Sequence, residues 1–540
     1  MKKMLFFIAV YCSSLSLLGQ SMSGNYTIDP SAAASSTNFT TVLSAMTALT
    51  TNGVSGAVTF TVANGTYNEQ FFVMGFSGGS PAKTVTFKSA SNNPADVIIS
   101  LATDAAKNYV VGTASKHVKF SGITFSATGT TYAVVGNIPV DSVEFNNCIF
   151  NGKSQANSSS QTLVTATSAS IKFKNCEFNY GYSALVVDGK NITGSEFIGN
   201  KFRYQNHSAP VIIKKCQDVL FSKNDLKSYL TSSVFIGIEL LNCNGKTVVE
   251  KNKVDVVNGT GMRLSDCRAT ADGRGIVKNN MLYSSGSTAD RVLYTTGSRY
   301  YDIYHNTAVN SYSSGAAASF VDAVDFDIKN NIFINQLTGR AYSTTIYSGY
   351  INSDYNVYYS GNPYRLGSWN YTDFADLAAL KTLNSQDASS VFKNVTFSDD
   401  FLHLKSEDNT LLGTPLALVT DDFDGDVRSA TPYRGADEFN ATATSIDGNL
   451  TDRSFYLLEN YPNPFNPSTV IRFGVPKNEK VTISVFDMAG RKISSIANNQ
   501  TFAKGFHEIQ FDSKGISSGI YLCRIETPSF VKSIKMTLLK

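Results

Sequence analysis

The sequence predicts an all-β chain built on a parallel β-helix, and three observations carry that prediction. The phrase IKFKNCEF at 171–178 (apolar, two residues, Asn or Cys, one residue, apolar) returns in VEFNNCIF, SEFIGNKF, VLFSKNDL, TVVEKNKV, GIVKNNML, YDIYHNTA, FDIKNNIF and INSDYNVY, with a looser first copy, VKFSGITF. Its leading residues, Phe120, Phe145, Phe173, Phe197, Phe221, Val249, Val277, Ile303, Ile328 and Ser353, stand 25, 28, 24, 24, 28, 28, 26, 25 and 25 residues apart. So steady a period marks a solenoid. Between the phrases lie short alternating runs such as LVVD, VIIK and IELL and no stretch of helical periodicity, so each repeat is all strand. Three short strands and three corners use one repeat, each coil stacking ~4.8 Å from the next.

Taken in order, residues 1–20 (MKKMLFFIAVYCSSLSLLGQ) carry two lysines, an apolar stretch and small residues, the pattern of a secretory signal peptide. Residues 21–115 hold the N-terminal cap and first coils. In them SSTNFTTVLSAMTALTTNG predicts one amphipathic helix with Phe39, Val42, Leu43, Met46 and Leu49 on a face, covering the open end of the solenoid. The repeats fill 116–360. Residues 361–440 form a closing coil and cap, and the small polar stretch 441–454 reads as a linker. Residues 455–540 contain short alternating strands (TVIRFGV, KVTISVF, HEIQF, IYLCRIE, SIKMTLL) separated by turn residues, a small separate β-sandwich.

At the corner of each repeat the third residue after the leading one is Cys148 or Cys176 and then Asn200, Asn224, Asn252, Asn280, Asn306, Asn331 and Asn356. Asn tolerates left-handed backbone, and its amide can bond the same amide one coil above and below, so this register predicts an internal asparagine ladder. The cysteines read as stacked small core residues before disulfides, and no Cys/His spacing suggests zinc.

Coil length, asparagine corner and capping helix together resemble the right-handed parallel β-helices of the pectate lyase, polygalacturonase and pectin methylesterase superfamily. The resemblance implies a carbohydrate groove along one stacked strand face. The catalytic signatures of those enzymes are absent: there is no Gly-His-Gly, no Leu-Gly-Arg-Pro-Trp and no Trp-Ile-Asp-His. In the last module, YPNPFNPST (Tyr461 to Thr469, with Pro462, Asn463, Pro464 and Phe465), AGRK around Gly490 and Arg491, SSGIY (Ser517 to Tyr521) and the terminal Lys540 resemble the type A C-terminal sorting domain of the type IX secretion system of Bacteroidetes and relatives. That resemblance implies handling by the type IX machinery, passage across the outer membrane, and release or anchoring at the cell surface.

The chain carries 46 basic and 43 acidic residues; without Lys2 and Lys3 the balance is 44 to 43, which gives no electrostatic case for nucleic acid. After the leader no run of 18 apolar residues occurs, so no membrane-spanning segment is expected. Polysaccharide is the expected partner, and two candidate sites follow. Strands LVVD, VIIK, IELL, MRL, RVL and FVD predict an outward column of Asp188, Lys214, Glu239, Arg263, Arg291 and Asp322, beside the insertion SDCRATADGRG with Asp266, Arg268, Asp272 and Arg274. As a site, Glu239, Arg263 and Arg291 would be catalytic in a divergent polysaccharide lyase or glycoside hydrolase acting on a uronate-containing glycan, acids moving protons and Arg or Lys holding a uronate or acting as a lyase base, with Lys214 binding the glycan. As a surface ladder, the same charges keep the solenoid soluble. Residues 283–371 hold 14 of the 27 tyrosines and the single tryptophan, and Tyr358, Tyr359 and Trp369 are candidate rings for stacking on sugars. In DDFDGDVR, Asp422, Asp424 and Asp426 alternate around Gly425 as in part of a calcium loop, but the downstream Glu of an EF-hand is missing, so a polar turn is favoured over calcium, the one cofactor the chain suggests.

Overall fold

A computed structural model describes residues 20–539 except 103–108, 129–132, 139–141, 154–155, 157–158, 168–169, 206–208, 229–234, 286–290, 347–349, 399–400, 440–458, 462, 464, 476–477, 503–504 and 529. The leader, the 441–454 linker, Pro462, Pro464 and Lys540 lie outside the described residues, apart from Gln20 at the leader's end. The chain divides into two compact units, Met1–Thr396 with Leu404–Ala441, and Thr442–Lys540 with Phe397–His403.

Among the described residues the first unit is a parallel β-helix of three sheets with 14, 13 and 13 strands, here called A, B and C. Each coil passes through A, B and C in turn, so sequence neighbours lie on different sheets and hydrogen-bonded neighbours are one coil apart. The ten leading residues of the repeat stand in one register row of sheet A, from Phe120 through Phe145, Phe173, Phe197, Phe221, Val249, Val277, Ile303 and Ile328 to Ser353. The row runs on toward the N-terminus through Phe87, Phe60 and Tyr26, where longer insertions hide the period. These rings form a stack inside the helix, with centroids 4.9 Å apart at Phe60–Phe87 and Phe120–Phe145 and 5.0 Å at Phe145–Phe173. Burying one such side chain contributes about 1.5–3 kcal/mol.

Helix α1, Val42–Asn52, closes the N-terminal end, capped by Thr41 and with the Glu69 carboxylate accepting from the amides of Val42 and Leu43 at 3.1 and 3.3 Å. Its buried face is Val42, Ala45, Met46 and Leu49; Leu43 is 65% exposed and Phe39 precedes the helix on a strand, a correction to the wider apolar face expected from sequence. The helix begins later because Thr41 and Ser44 make a reciprocal cap.

At the corner between sheets A and B the asparagines stack side chain to side chain. The Nδ2 of Asn200 donates to Oδ1 of Asn224 at 2.9 Å, and the same bond joins Asn224–Asn252 (3.0 Å), Asn252–Asn280 (2.9 Å), Asn280–Asn306 (2.9 Å), Asn306–Asn331 (3.0 Å) and Asn331–Asn356 (3.0 Å). Each amide also donates to a backbone carbonyl, as Asn252 does to Phe221 at 3.0 Å. The left-handed residue is the one before the asparagine rather than the asparagine itself: Asn147, Asn175, Gly199, Lys223, Lys251, Asn279, His305, Asn330 and Tyr355, with φ between 50° and 67°. That residue turns the chain outward so that the next side chain points into the core. The six cysteines among the described residues are free and buried, Cys148 and Cys176 occupying the first two rungs. At the C-terminal end the ladder passes to Ser390, whose Oγ accepts from the Asn356 amide at 2.9 Å, and to the buried Asp387, which accepts from Ser353, Tyr358 and Ser390.

Residues 404–439 fold back as a strap over this corner. Asp421 pairs with buried Lys251 at 2.6 Å, and its carbonyl accepts from Asn279 at 2.7 Å. The buried Arg428 donates to Asn279, Glu438 and the carbonyls of Tyr433, Gly435 and Ala436. Tyr433 and Thr414 offer carbonyls to His305 (3.1 Å) and Asn330 (2.6 Å), and the Arg434 guanidinium lies over the Tyr355 ring. Leu416 and Val419 cover Val248 and Ile276, apolar residues that face outward from sheet A.

The second unit is an antiparallel sandwich of a three-stranded and a four-stranded sheet around Phe473, Ile483, Val485, Phe511, Cys523 and Met536. Among the described residues no helix is long and apolar enough to cross a membrane.

Candidate functional site

The expected charged column on sheet C is not a single column. Glu239 and Arg263 share an outward row with Ile212, Tyr294, Ser319 and Ser343. Asp188 and Lys214 face each other in a second row. Arg291 stands in a third with Ala316 and Arg340, and Asp322 is the left-handed residue beyond its strand. The strands of sheet C differ in length, from three residues to nine, so spacing alone does not carry register across them. Arg263 clamps Glu239, with Nε 3.0 Å from Oε1 and Nη2 on the same oxygen, and Arg291 lies 4.4 Å over the Tyr294 ring. These groups answer one another.

The stacking rings also move. Tyr358 is fully buried, its hydroxyl 3.0 Å from Asp387 and its ring against Phe333 and Tyr342, so it presents no face to a ligand. Burial, with Asp387 adjacent, pushes its phenol well above the usual range. Tyr359 is half-buried beside Phe392, and Trp369 packs against Tyr342. In the aspartate turn, Asp422 is buried and its carboxylate accepts from the amides of Gly425 (2.9 Å), Asp426 (2.8 Å) and Glu438 (2.9 Å), which makes it the organiser of the turn; Asp424 is exposed and Asp426 half-buried.

The feature with the makings of a site lies on sheet A. A groove of about 330 Å³ is lined by Arg274, Asp302, Tyr304, Asp325, Phe326, Asp327, Tyr350 and Asn352. Asp302, Asp327 and Asn352 are in-register neighbours on three successive coils. Arg274, from the insertion SDCRATADGRG, donates to Asp302 at 2.6 Å and to the carbonyls of Tyr301 and Asp325 at 3.0 and 2.9 Å. Asp327 accepts from the Tyr304 hydroxyl (2.6 Å), the Asn352 amide (2.9 Å) and Lys329 (3.1 Å). Asp302 is 4% exposed; burial, with Asp327 next to it, raises its carboxyl above the ordinary range although Arg274 draws it down. The Tyr350 ring is 60% exposed at the rim. The groove thus combines a flat amphipathic ring, fixed hydrogen-bonding groups and two carboxyls on adjacent coils.

Sequence reasoning missed this groove, yet a signal for it exists. The residue before each leading apolar residue reads Lys119, Glu144, Lys172, Glu196, Leu220, Val248, Ile276, Asp302, Asp327 and Asn352. Alternating signs make a surface ladder, with Glu196 paired to both Lys172 and Lys174. The alternation ends at Glu196, three apolar residues follow, and two like-charged residue types then stand on adjacent coils.

In the second unit, the Asn463 side chain donates to Lys535 O (3.0 Å) and accepts from Thr537 N (2.8 Å), and the backbone of buried Phe465 bonds Thr537 and Leu539. These motif residues staple the last strand, Phe530–Leu538. Gly490, with φ of 80°, sits in a turn held by Asp487, which accepts from Ala489 N, Arg491 N and Arg491 Nε.

Among solved structures, pectin methylesterase from Aspergillus niger is similar in its penultimately deglycosylated and deglycosylated forms, at 14% and 12% identity, over 71% of this chain and 94% and 95% of that one, with TM-scores of 0.21. Comparison with the curated proteins finds no match. Residues 459–538 match the family model of the secretion system C-terminal sorting domain. The motifs that staple the terminal strand and shape the Asp487 turn are thus those of a type IX sorting tail, which indicates handling by that machinery and export to the cell surface or beyond.

Proposed function

We propose that this exported β-helix binds a carbohydrate chain in the sheet A groove. The observation that carries the reading is the pair of like-charged, tightly held carboxyls, Asp302 and Asp327, beside the exposed Tyr350 ring. Sugars are bound by rings that stack on their faces and by fixed polar groups that meet their hydroxyls. The charge balance favours neutral or amino sugars over uronates: Arg274 is turned inward onto Asp302 and two carbonyls, Lys329 onto Asp327, and a uronate carboxylate would meet Asp302, Asp325 and Asp327. The test is retention of the full chain on columns of chitosan, cellulose and polygalacturonate. Tyr350→Ala and Asp327→Asn should each abolish retention on the neutral or amino polymer while leaving the melting temperature within a few degrees. Unchanged retention in both variants sinks the assignment.

A second reading, cleavage of the bound chain, is favoured by Asp302. Burial and Asp327, one coil away, raise this carboxyl toward proton donation against the opposing pull of Arg274 at 2.6 Å. Product release from the same polymers, lost in Asp302→Asn, would support it.

A further inference from the structure

We infer that the groove accepts the end of a carbohydrate chain and excludes its interior; this rests on the carbohydrate reading above. The rows that would contact a chain lie on the coils of Asp302, Asp327 and Asn352, about 10 Å from first to last at the usual coil spacing. One coil further toward the N-terminus the same row is occupied by Ile276, in register with Asp302, and the neighbouring row by Lys278, in register with Tyr304. Both are covered by the strap. Ile276 is 8% exposed and packs with Tyr304 against Val419, and Lys278 donates to the Leu418 carbonyl at 2.9 Å. A chain laid along the solenoid from the Tyr350 side therefore meets a wall immediately beyond Asp302.

The wall is braced on both sides. Thr414 exchanges two hydrogen bonds with Asn330, its amide donating to Oδ1 at 3.1 Å and its carbonyl accepting from Nδ2 at 2.6 Å. Asp421 pairs with Lys251 and accepts from Asn279. Six residues separate these two anchored points, and between them Leu416 and Val419 are seated on sheet A, which holds segment 414–421 down against a passing polymer. At the other end Asn352 lies on the last strand of sheet A beside the exposed Tyr350; Gln386 binds that strand's backbone at Ser353 N and Ile351 O, and the chain end enters over this side, where no counterpart of the 414–421 wall is seen among the described groove-lining residues.

The experiment titrates the full chain with β-1,4-linked glucose and glucosamine oligomers of two to eight units, and measures its binding capacity on the matching polymers before and after partial hydrolysis. Chain-end recognition predicts affinity that levels off once an oligomer fills the three rows, and polymer capacity per gram that rises tenfold when chains are shortened tenfold. Affinity that keeps climbing with length, with capacity indifferent to chain length, would overturn chain-end recognition and leave the groove a carbohydrate site. Absence of binding by every oligomer and polymer would overturn both. The variant Leu416→Ala/Val419→Ala, which thins the wall and replaces no lining residue although Val419 packs on Tyr304, should raise capacity on the long polymer at least severalfold.

Discussion

Among the corner residues that hold the strap, His305 should make its attachment pH-dependent. The ring is fully buried, Nδ1–H donating to Tyr433 O at 3.1 Å and Nε2 accepting from Asn330 Nδ2 at 2.9 Å, a tautomer fixed by the network. A proton added at Nε2 would meet the Asn330 donor head-on. Asn330 cannot turn its amide over, because Thr414 N donates to its Oδ1 and its Nδ2 also donates to Thr414 O. The charged groups facing the ring are Arg428 and Lys278, both positive, and burial together with Arg428 holds the imidazole well below 6.5. A folded value below the unfolded one means the unfolded chain takes the proton first, so stability is lost as pH falls below about 6.5 and the loss stops growing only when the ring protonates in the fold. While the folded ring stays neutral, the loss is about 1.4 kcal/mol at pH 5.5 and about 2.7 kcal/mol at pH 4.5. The comparison variant is His305→Asn, since Asn stands at this corner position at 147, 175, 279 and 330 and tolerates the same left-handed backbone. Urea unfolding of both proteins at pH 7.5, 5.5 and 4.5, read as the difference between them, cancels the carboxylates they share. If the two lose stability in parallel, the buried neutral imidazole is refuted.

Three further outcomes are expected. Asn252→Ala removes the acceptor for the Asn224 amide and side chain and the donor for Phe221 O and Asn280, all buried, and should cost about 3–5 kcal/mol by urea unfolding; Asn252→Cys should cost less, because Cys176, at the equivalent position of an earlier rung, bonds the carbonyl of Phe145 through its thiol. Tyr358→Ala should lower stability by about 3–5 kcal/mol and leave carbohydrate retention of the folded protein unchanged, the reverse of Tyr350→Ala. Asn463→Ala should speed hydrogen exchange at the Thr537 amide, costing about 1–3 kcal/mol for two bonds, and reduce the amount of protein reaching the cell surface in a type IX host.

What the sequence made legible follows from how closely each feature is tied to the corner. The leading residue stands two positions before one left-handed turn and the asparagine directly after it, so their order survives insertions elsewhere and the sheet A register can be counted. Sheet C begins after variable loops, and counting from its apolar runs put Glu239, Arg263 and Arg291 in one column where the register puts them in two. The same grammar places Tyr358: it stands two residues after Asn356, as Phe178 stands two after Cys176, and that position points inward. Composition marks it as a binding ring; position marks it as core.

The strap had no local signal, since Asp421 meets a residue 170 positions earlier and Thr414 one 84 earlier. It did leave a trace in its partners. Left-handed backbone favours Gly and Asn, and among the nine corners only Lys223, Lys251, His305 and Tyr355 depart from them. Three of those four touch the strap: Lys251 through Asp421, His305 through Tyr433, and Tyr355 through Arg434. A residue that strains the turn it occupies is explained where its side chain makes a contact outside the helix, and in this chain those contacts hold the strap, Lys251 through Asp421 fixing one end of the segment that walls the groove.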